Sequence, residues 1–326
     1  MKHTKTKNGT HTHSDNNCIT LFTGNANPKL AKEIAAKLDT PLSNMTIDRF
    51  NDGEIQCEIH DNVRDSDAYI IQSTCPPVNE NIMELVVMAD ALKRASVRRV
   101  TAVIPYYGYA RQDRKDKLRV PVTARLIADM LEASGIDRVI AVHLHSAQVQ
   151  GFFDIPLDHL YTSHVLLEKV NTDSKNLTVV SPDAGSVKGS RHIAEKLGVP
   201  LAIVDKRRGK PGDAEAMTII GTVDGADCLI FDDMVDTGGT LIAAAGVLKD
   251  AGAKSICVCA SHPVFSKNAI ERLEASPIDS IVVSDSIPHP DSMTKSGKFT
   301  VVSLAPLLSE AIRNVHEGNS ISALFD

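Results

Sequence analysis

The chain has 326 residues, 43% hydrophobic and 23% charged, and its 35 Lys plus Arg against 41 Asp plus Glu give a formal net charge of -6. This balance excludes a disordered chain and argues against nucleic acid or an anionic membrane as partner. No apolar run approaches the roughly 18 residues of a membrane helix, no signal-type apolar segment follows the start, and Cys18, Cys57, Cys75, Cys228, Cys257 and Cys259 form no CxxC pair, so buried free thiols in a reducing cytoplasm are expected.

Residues 1–17 are polar and are expected to be a disordered tail. From Cys18 onward, short apolar runs alternate with helical periodicity. Strands are expected at 18–24, 67–74, 99–107 and 138–145, with helices at 29–38, 79–95 and 123–134. These strand runs are nearly continuous hydrophobes rich in Val and Ile, the pattern of parallel strands covered on both faces. Residues 49–60 interleave polar positions and read as a hairpin or edge element. The pattern then repeats. Strands are expected at 177–182, 201–205, 228–233, 255–261, 280–284 and 299–304, and helices at 188–197, 241–251, 269–275 and 306–315. The class is therefore α/β in two halves, with a boundary near 158–163.

The most informative stretch runs from Cys228 to Thr240. An apolar strand ends in Asp232 and Asp233, and a loop of Asp236, Thr237, Gly238, Gly239 and Thr240 opens a helix. Glycines let backbone N–H groups face a phosphate, the threonines add hydroxyl donors, and the helix N-terminus adds partial positive charge. Asp232 and Asp233 stand where they can hold sugar hydroxyls or a magnesium ion. Neither GxxxxGK[ST] nor GxGxxG occurs, which disfavours a P-loop or a dinucleotide site. Lys206, Arg207 and Arg208 follow another apolar strand and suit a polyphosphate. The loop 209–213 after them is able to close over a ligand. Asp183 ends a third strand, at the sheet edge where open α/β sheets bind ligands.

In the first half the polar strand ends are Arg49 to Glu54, Pro105 to Lys115, and His143 to His145. Phe50 can pack on a purine, Asp52 and Glu54 can read its amino group or the ribose, and Arg111 and Gln112 can meet phosphate and base. His143 and His145 lie two apart, so in a strand both face one ion. The surrounding oxygen ligands favour Mg²⁺ over zinc.

From about residue 18 to 325 the sequence resembles the bacterial-type class I ribose-phosphate diphosphokinases, or PRPP synthetases. The resemblance rests on RFNDGE at 49–54, IQST at 71–74, MELV at 83–86, DALKRAS at 90–96, residues 104–115, QVQGFFDIP at 148–156, residues 181–185, 205–208 and 232–240. It implies two tandem phosphoribosyltransferase-like domains, each a mostly parallel sheet flanked by helices: 18–160 for ATP, 161–305 for ribose 5-phosphate, with a helix and tail at 306–326. The implied reaction is Mg²⁺-dependent transfer of a diphosphoryl group from ATP to the C1 hydroxyl of D-ribose 5-phosphate, giving PRPP and AMP.

The resemblance also implies the site residues. ATP contacts fall on Phe50, Asp52, Gly53, Glu54, Arg111 and Gln112. Sugar-phosphate contacts fall on Arg208, Asp232, Asp233 and Asp236 through Thr240, and Lys206 with Arg208 is catalytic. Metal-associated positions are His145 and Asp183, to which the two-residue spacing adds His143. Self-association as a hexamer is implied, with the ATP site near a subunit interface. Phosphate activation and ADP inhibition are implied at Arg49, Gln150, Asp158, Ser320 and Ser322.

Four positions depart from the family pattern: His143 replaces an Asp, Ser186 a Gly, Gly189 an Arg and His159 an Asn. They keep open a regulatory, weakly catalytic paralogue beside the active synthetase. A base-utilising phosphoribosyltransferase is the remaining alternative.

Overall fold

The computed structural model describes residues 18–207, 216–291 and 293–324. The tail expected at 1–17 and the loop expected at 209–213 lie outside them. The first half contains β1 (Ile19–Thr23), α1 (Pro28–Leu38), β2 (Met45–Arg49), β3 (Ile55–Ile59), β4 (Asp67–Ile71), α2 (Val78–Arg94), β5 (Arg99–Ile104), α3 (Thr123–Ala133), β6 (Arg138–Val142) and β7 (Leu157–Leu160). Strands β1, β4, β5, β6 and β7 form one parallel sheet in that order, and β2 and β3 form a separate antiparallel hairpin.

The second half follows with α4 (Ser163–Leu167), β8 (Leu177–Ser181), α5 (Val187–Leu197), β9 (Leu201–Arg207), β10 (Ala216–Ile220), β11 (Asp227–Val235), α6 (Gly239–Asp250), β12 (Ser255–Pro263), α7 (Ala269–Glu274), β13 (Ser280–Ser284), β14 (Phe299–Val302) and α8 (Ala305–Glu317). Its sheet runs β10-β9-β8-β11-β12-β13-β14, antiparallel at β10–β9 and parallel elsewhere. No described helix is long and apolar enough to cross a membrane.

Both sheets are buried on both faces, which is why their strands read as unbroken hydrophobes. In the first sheet, Phe22, Ile70 and Ala102 pack with Leu85 and Met88 of α2 and Leu131 of α3. On the opposite face Leu21, Tyr69 and Val103 pack with Leu30 and Ile34 of α1 and with Leu308 and Ile312 of α8. The last helix of the chain thus covers the first sheet. In the second sheet, Ile230 and Val258 meet α6 and α7 through Leu241, Ala245 and Leu273, and Val179 and Leu229 meet α4 and α5 through Leu166 and Ile193.

A buried carboxylate ties α8 in place. Asp67 is fully buried at the start of β4, and its side chain accepts from Arg99 on β5, from His316 of α8 at 2.8 Å and from the Tyr69 hydroxyl at 2.9 Å. Burial pushes its pKa up, but the bonds from Arg99 and His316 outweigh that and hold it below the usual carboxylate range. Arg99 also reaches the Val315 carbonyl.

The structure changes several expectations. Strand β6 stops at Val142, not 145, because His143 adopts a positive φ of 38°. Strand β7, strand β10 and helix α4 were not expected. They are only four or five residues long, and the middle of β7 is Asp158–His159, so no apolar run marks it. The expected hairpin spans Met45 to Ile59 with its tip at 50–54. All six cysteines are free, but only Cys75, Cys228 and Cys259 are buried, and Cys18 is exposed.

Two measurements check this account. Asp67→Ala strips a buried acceptor from three donors and should cost roughly 3 kcal/mol in urea unfolding. Gly189→Ala on α5 should stabilise by about 0.5–1 kcal/mol, because the added methyl meets nothing within 4 Å.

Candidate functional site

The polar residues of the second half gather at the carboxyl ends of β8 and β11. Asp232 and Asp233 are the sixth and seventh residues of β11, and the Asp233 N–H donates to Asp232 Oδ1 at 2.9 Å. The loop after them turns at Gly238, whose φ of 71° admits a side chain only with strain and whose added Cβ would sit 3.1 Å from Leu273. Gly239 then starts α6, leaving its first N–H groups available to an anion. From behind, Arg272 of α7 donates to the Thr237 carbonyl at 3.1 Å. The Asp183 side chain closes the turn after β8 by accepting from the Gly185 and Ser186 N–H groups at 2.8 and 2.9 Å. Ser186 has φ -85°, so serine is unstrained here, and its hydroxyl donates to Asp232 at 3.4 Å. This bridge from Asp183 to Asp232 carried no recognisable signal in the sequence.

First-half residues complete the group across the seam. Arg111 donates to Asp236 Oδ2 at 2.7 Å, and His145 Nδ1 lies 2.8 Å from Asp233 Oδ2. Arg111, Gln112, Arg114 and His145, with Val120 and Pro121, border a cavity of about 390 Å³. Burial, and then the neighbouring Asp233 charge, push Asp232 well above the usual carboxylate range. Burial acts on Asp233 too, but His145 more than offsets it and keeps Asp233 ionised. The hydrogen bond to Asp233 in turn raises the His145 pKa. Among the described residues no three His, Cys, Asp or Glu side chains converge as a cage for a metal. The four groups His145, Asp233, Asp232 and Asp183 instead form a chain of neighbours with a surplus of negative charge.

The two histidines of the 143–145 segment take different hydrogen-bond partners, His145 bonding Asp233. The positive φ at His143 breaks the strand alternation, and its Nδ1 is bonded to the Ser261 hydroxyl. Burial lowers the His143 pKa to about 3, so the ring is neutral. Leu144 between them donates its N–H to His159 Nε2 at 2.9 Å, and the Gln150 amide lies 3.3 Å from His159 Nδ1. Burial lowers the His159 pKa to about 4.

Other expected residues stand apart from this group. Phe50, Asp52, Gly53 and Glu54 form the exposed tip of the β2–β3 hairpin. Arg49 just before them pairs with Glu80 at 2.8 Å and with the buried Glu84 at 3.4 Å. Asp158 is paired with Arg138 at 2.5 Å, and Ser320 and Ser322 are exposed beyond α8. Lys206 has its backbone in β9, opposite Met217 of β10. Its side chain and the whole of Arg208 lie outside the described residues. Glu84, which also accepts from Asn25 and Gln72, was not singled out from the sequence, although it lies in the MELV stretch.

Two mostly parallel α/β sheets in tandem, the second with acids and a Gly–Thr loop at its strand ends, define a phosphoribosyltransferase-like protein. Comparison with known proteins narrows the class. A model for the N-terminal domain of ribose phosphate pyrophosphokinase matches residues 19–135, and one for the phosphoribosyl synthetase-associated domain matches residues 208–326. The chain is 52% identical over 311 residues to a ribose-phosphate pyrophosphokinase of Ralstonia nicotianae, covering 94% of this chain and 98% of that one. It is 51% identical over 313 residues to that of Caldanaerobacter subterraneus subsp. tengcongensis, covering 95% and 98%. The crystal structure of phosphoribosylpyrophosphate synthetase from Mycobacterium smegmatis superposes with a TM-score of 0.87 at 40% identity, covering 92% of this chain and 99% of that one. The chain belongs to the ribose-phosphate pyrophosphokinase family.

His159 yields a pH prediction. An unfolded histidine takes up its proton near pH 6.5, whereas burial delays this in the folded chain to about 4. The unfolded state therefore binds more protons between those values, and stability falls as pH drops. Relative to His159→Asn, wild type should lose up to about 1.4 kcal/mol per pH unit between pH 6 and 4.5. Urea unfolding of both proteins at each pH reads the difference.

Proposed function

We propose that this chain transfers the β,γ-diphosphoryl group of ATP to the C1 hydroxyl of D-ribose 5-phosphate, releasing PRPP and AMP. The observation that carries the reading is the pairing of Arg111 with Asp236 and of His145 with Asp233. It puts residues of the ATP-type half beside the sugar-phosphate loop of the other half. Family membership and the loss of none of the 232–240 residues support the same reading.

In this reading the N–H groups at the start of α6 and the hydroxyls of Thr237 and Thr240 hold the 5-phosphate. Asp232 and Asp233 hold the ribose hydroxyls. The C1 hydroxyl oxygen bonds to the β-phosphorus of ATP and gives up its proton to solvent as the bond from that phosphorus to the α,β-bridging oxygen breaks, and AMP leaves with the electron pair. Arg111 and Gln112 orient the nucleotide, with the Phe50–Glu54 tip contributing near a subunit interface. Lys206 and Arg208 stabilise charge on the transferring group, a positional and electrostatic task.

The donor set fits Mg²⁺, which keeps waters and takes one or two carboxylates plus phosphate oxygens, so no closed cage is required. His145 and Asp183 would hold the ion, which when bound would neutralise phosphate oxygens and the carboxylate surplus of Asp232 and Asp233. His143, the third metal-associated position, uses its Nδ1 on the Ser261 hydroxyl. Regulation by phosphate and ADP at Arg49, Gln150, Asp158, Ser320 and Ser322, in a hexamer, belongs to the same proposal. An anion arriving there competes with Glu80 and Glu84 for Arg49.

The test is AMP formation from ATP, with and without ribose 5-phosphate, in Mg²⁺ and phosphate. Sugar-dependent turnover above about 1 s⁻¹ is expected, and Lys206→Ala should lower it about 100- to 1000-fold. No AMP from folded, assembled protein would overturn the reading in favour of a regulatory paralogue. Pyrophosphate release from PRPP and a base without ATP would favour a phosphoribosyltransferase.

A further inference from the structure

We propose that His143 is a positioning residue that latches the turn carrying His145 onto the second half of the molecule. The inference deepens the proposed function and rests on it, because it concerns how His145 is brought to Asp233. Four contacts carry it. The His143 ring stacks on Phe231, the residue just before Asp232, with centroids 6.1 Å apart and planes inclined by 28°. Tyr161 meets the same ring edge-on at 5.7 Å. Its Nδ1 bonds the Ser261 hydroxyl, which is also 2.6 Å from the Thr162 hydroxyl. Its carbonyl accepts from His262 Nε2 at 3.0 Å.

These contacts reach β11 and β12, while the His143 N–H still donates to the Leu160 carbonyl at 2.8 Å in the first half. One residue therefore bonds both halves. Its positive φ is the cost of turning the ring out of the β6 alternation and onto the second sheet. The pairs at the site cannot perform this task. The side chains of His145 and Arg111 are 40% and 50% exposed, and ion pairs of that kind hold little. A neutral imidazole fills the space between Phe231 and Tyr161 with a flat ring that also bonds the Ser261 hydroxyl, so the tie adds no charge beside the acids.

The experiment uses the full chain and four variants: His143→Leu, His143→Asn, Ser261→Ala, and the double His143→Leu/Ser261→Ala. Hydrogen exchange followed by mass spectrometry reads the peptides covering 143–146 and 261–264 and needs no turnover. Exchange should accelerate about tenfold in His143→Leu and in Ser261→Ala, and the double variant should be no faster than the singles. His143→Asn, which keeps a polar atom near the Nδ1 position, should restore most of the protection. In the AMP assay, His143→Leu and Ser261→Ala should lower kcat about tenfold while the KM for ribose 5-phosphate stays within about twofold. Ser261→Ala with unchanged exchange in 143–146, or fully additive effects of the two sites, would overturn the latch. So would an unrescued His143→Asn. Silence of wild type in the AMP assay would overturn the proposed reaction and leave the exchange result to decide the latch.

Discussion

Everything that the candidate site can do depends on the seam between the two halves. The acids and the anion-binding loop come from β11 and α6, and the cation and the histidine facing them come from segments after β5 and β6. Neither group is complete alone. The charged pairs that join them, Arg111–Asp236 and His145–Asp233, are partly exposed and add little binding energy. The seam is held instead by neutral groups, the half-buried His143 with the buried Ser261, Thr162 and His262, and by Ser73 donating to the Ser286 carbonyl. Buried neutral hydrogen bonds avoid the desolvation penalty of ions, and each is costly to leave unmade. The site therefore has strong mechanics beside weak electrostatics, which leaves its charges available to a ligand.

The C-terminal helix shows the same division of labour at the far end of the first sheet. Helix α8 belongs to the second half in sequence but buries Leu308 and Ile312 on the first sheet. Apolar area supplies most of its attachment, and Asp67 with Arg99 and His316 sets its position. Asn27 at the cap of α1 donates to the Asp285 carbonyl, and Ser303 donates to Glu33. These bonds link α1 to the strand ends that precede α8. The tail carrying Ser320 and Ser322 thus leaves the first half, not the second.

Legibility in the sequence followed the range of the interactions. Long parallel strands and amphipathic helices were readable because each is buried along its whole length. The short elements β7, β10 and α4 were not, since their stability comes from neighbours already in place. The Asp232–Thr240 cradle was legible because strand, loop and helix are contiguous. The Ser186 bridge, the Glu84 anchor and the Ser261–His143 contact join residues between 35 and 118 positions apart, and no local pattern records them. The two-residue spacing of His143 and His145 suggested a shared ion, which held only if the strand continued. The strand ends at Val142, so that alternation does not reach them.

By itself the sequence determined the α/β class, the two halves, the acidic Gly–Thr loop and the family. These follow from residue type, period and spacing, all of which act locally along the chain. Only the tertiary structure decided which half α8 covers, that Arg111 and His145 meet the acids of the other half, and that His143 bonds Ser261 across the seam. Those outcomes depend on which burial neutralises or offsets which charge, and burial is a property of the packed molecule, because a side chain's solvent is set by residues far from it in sequence.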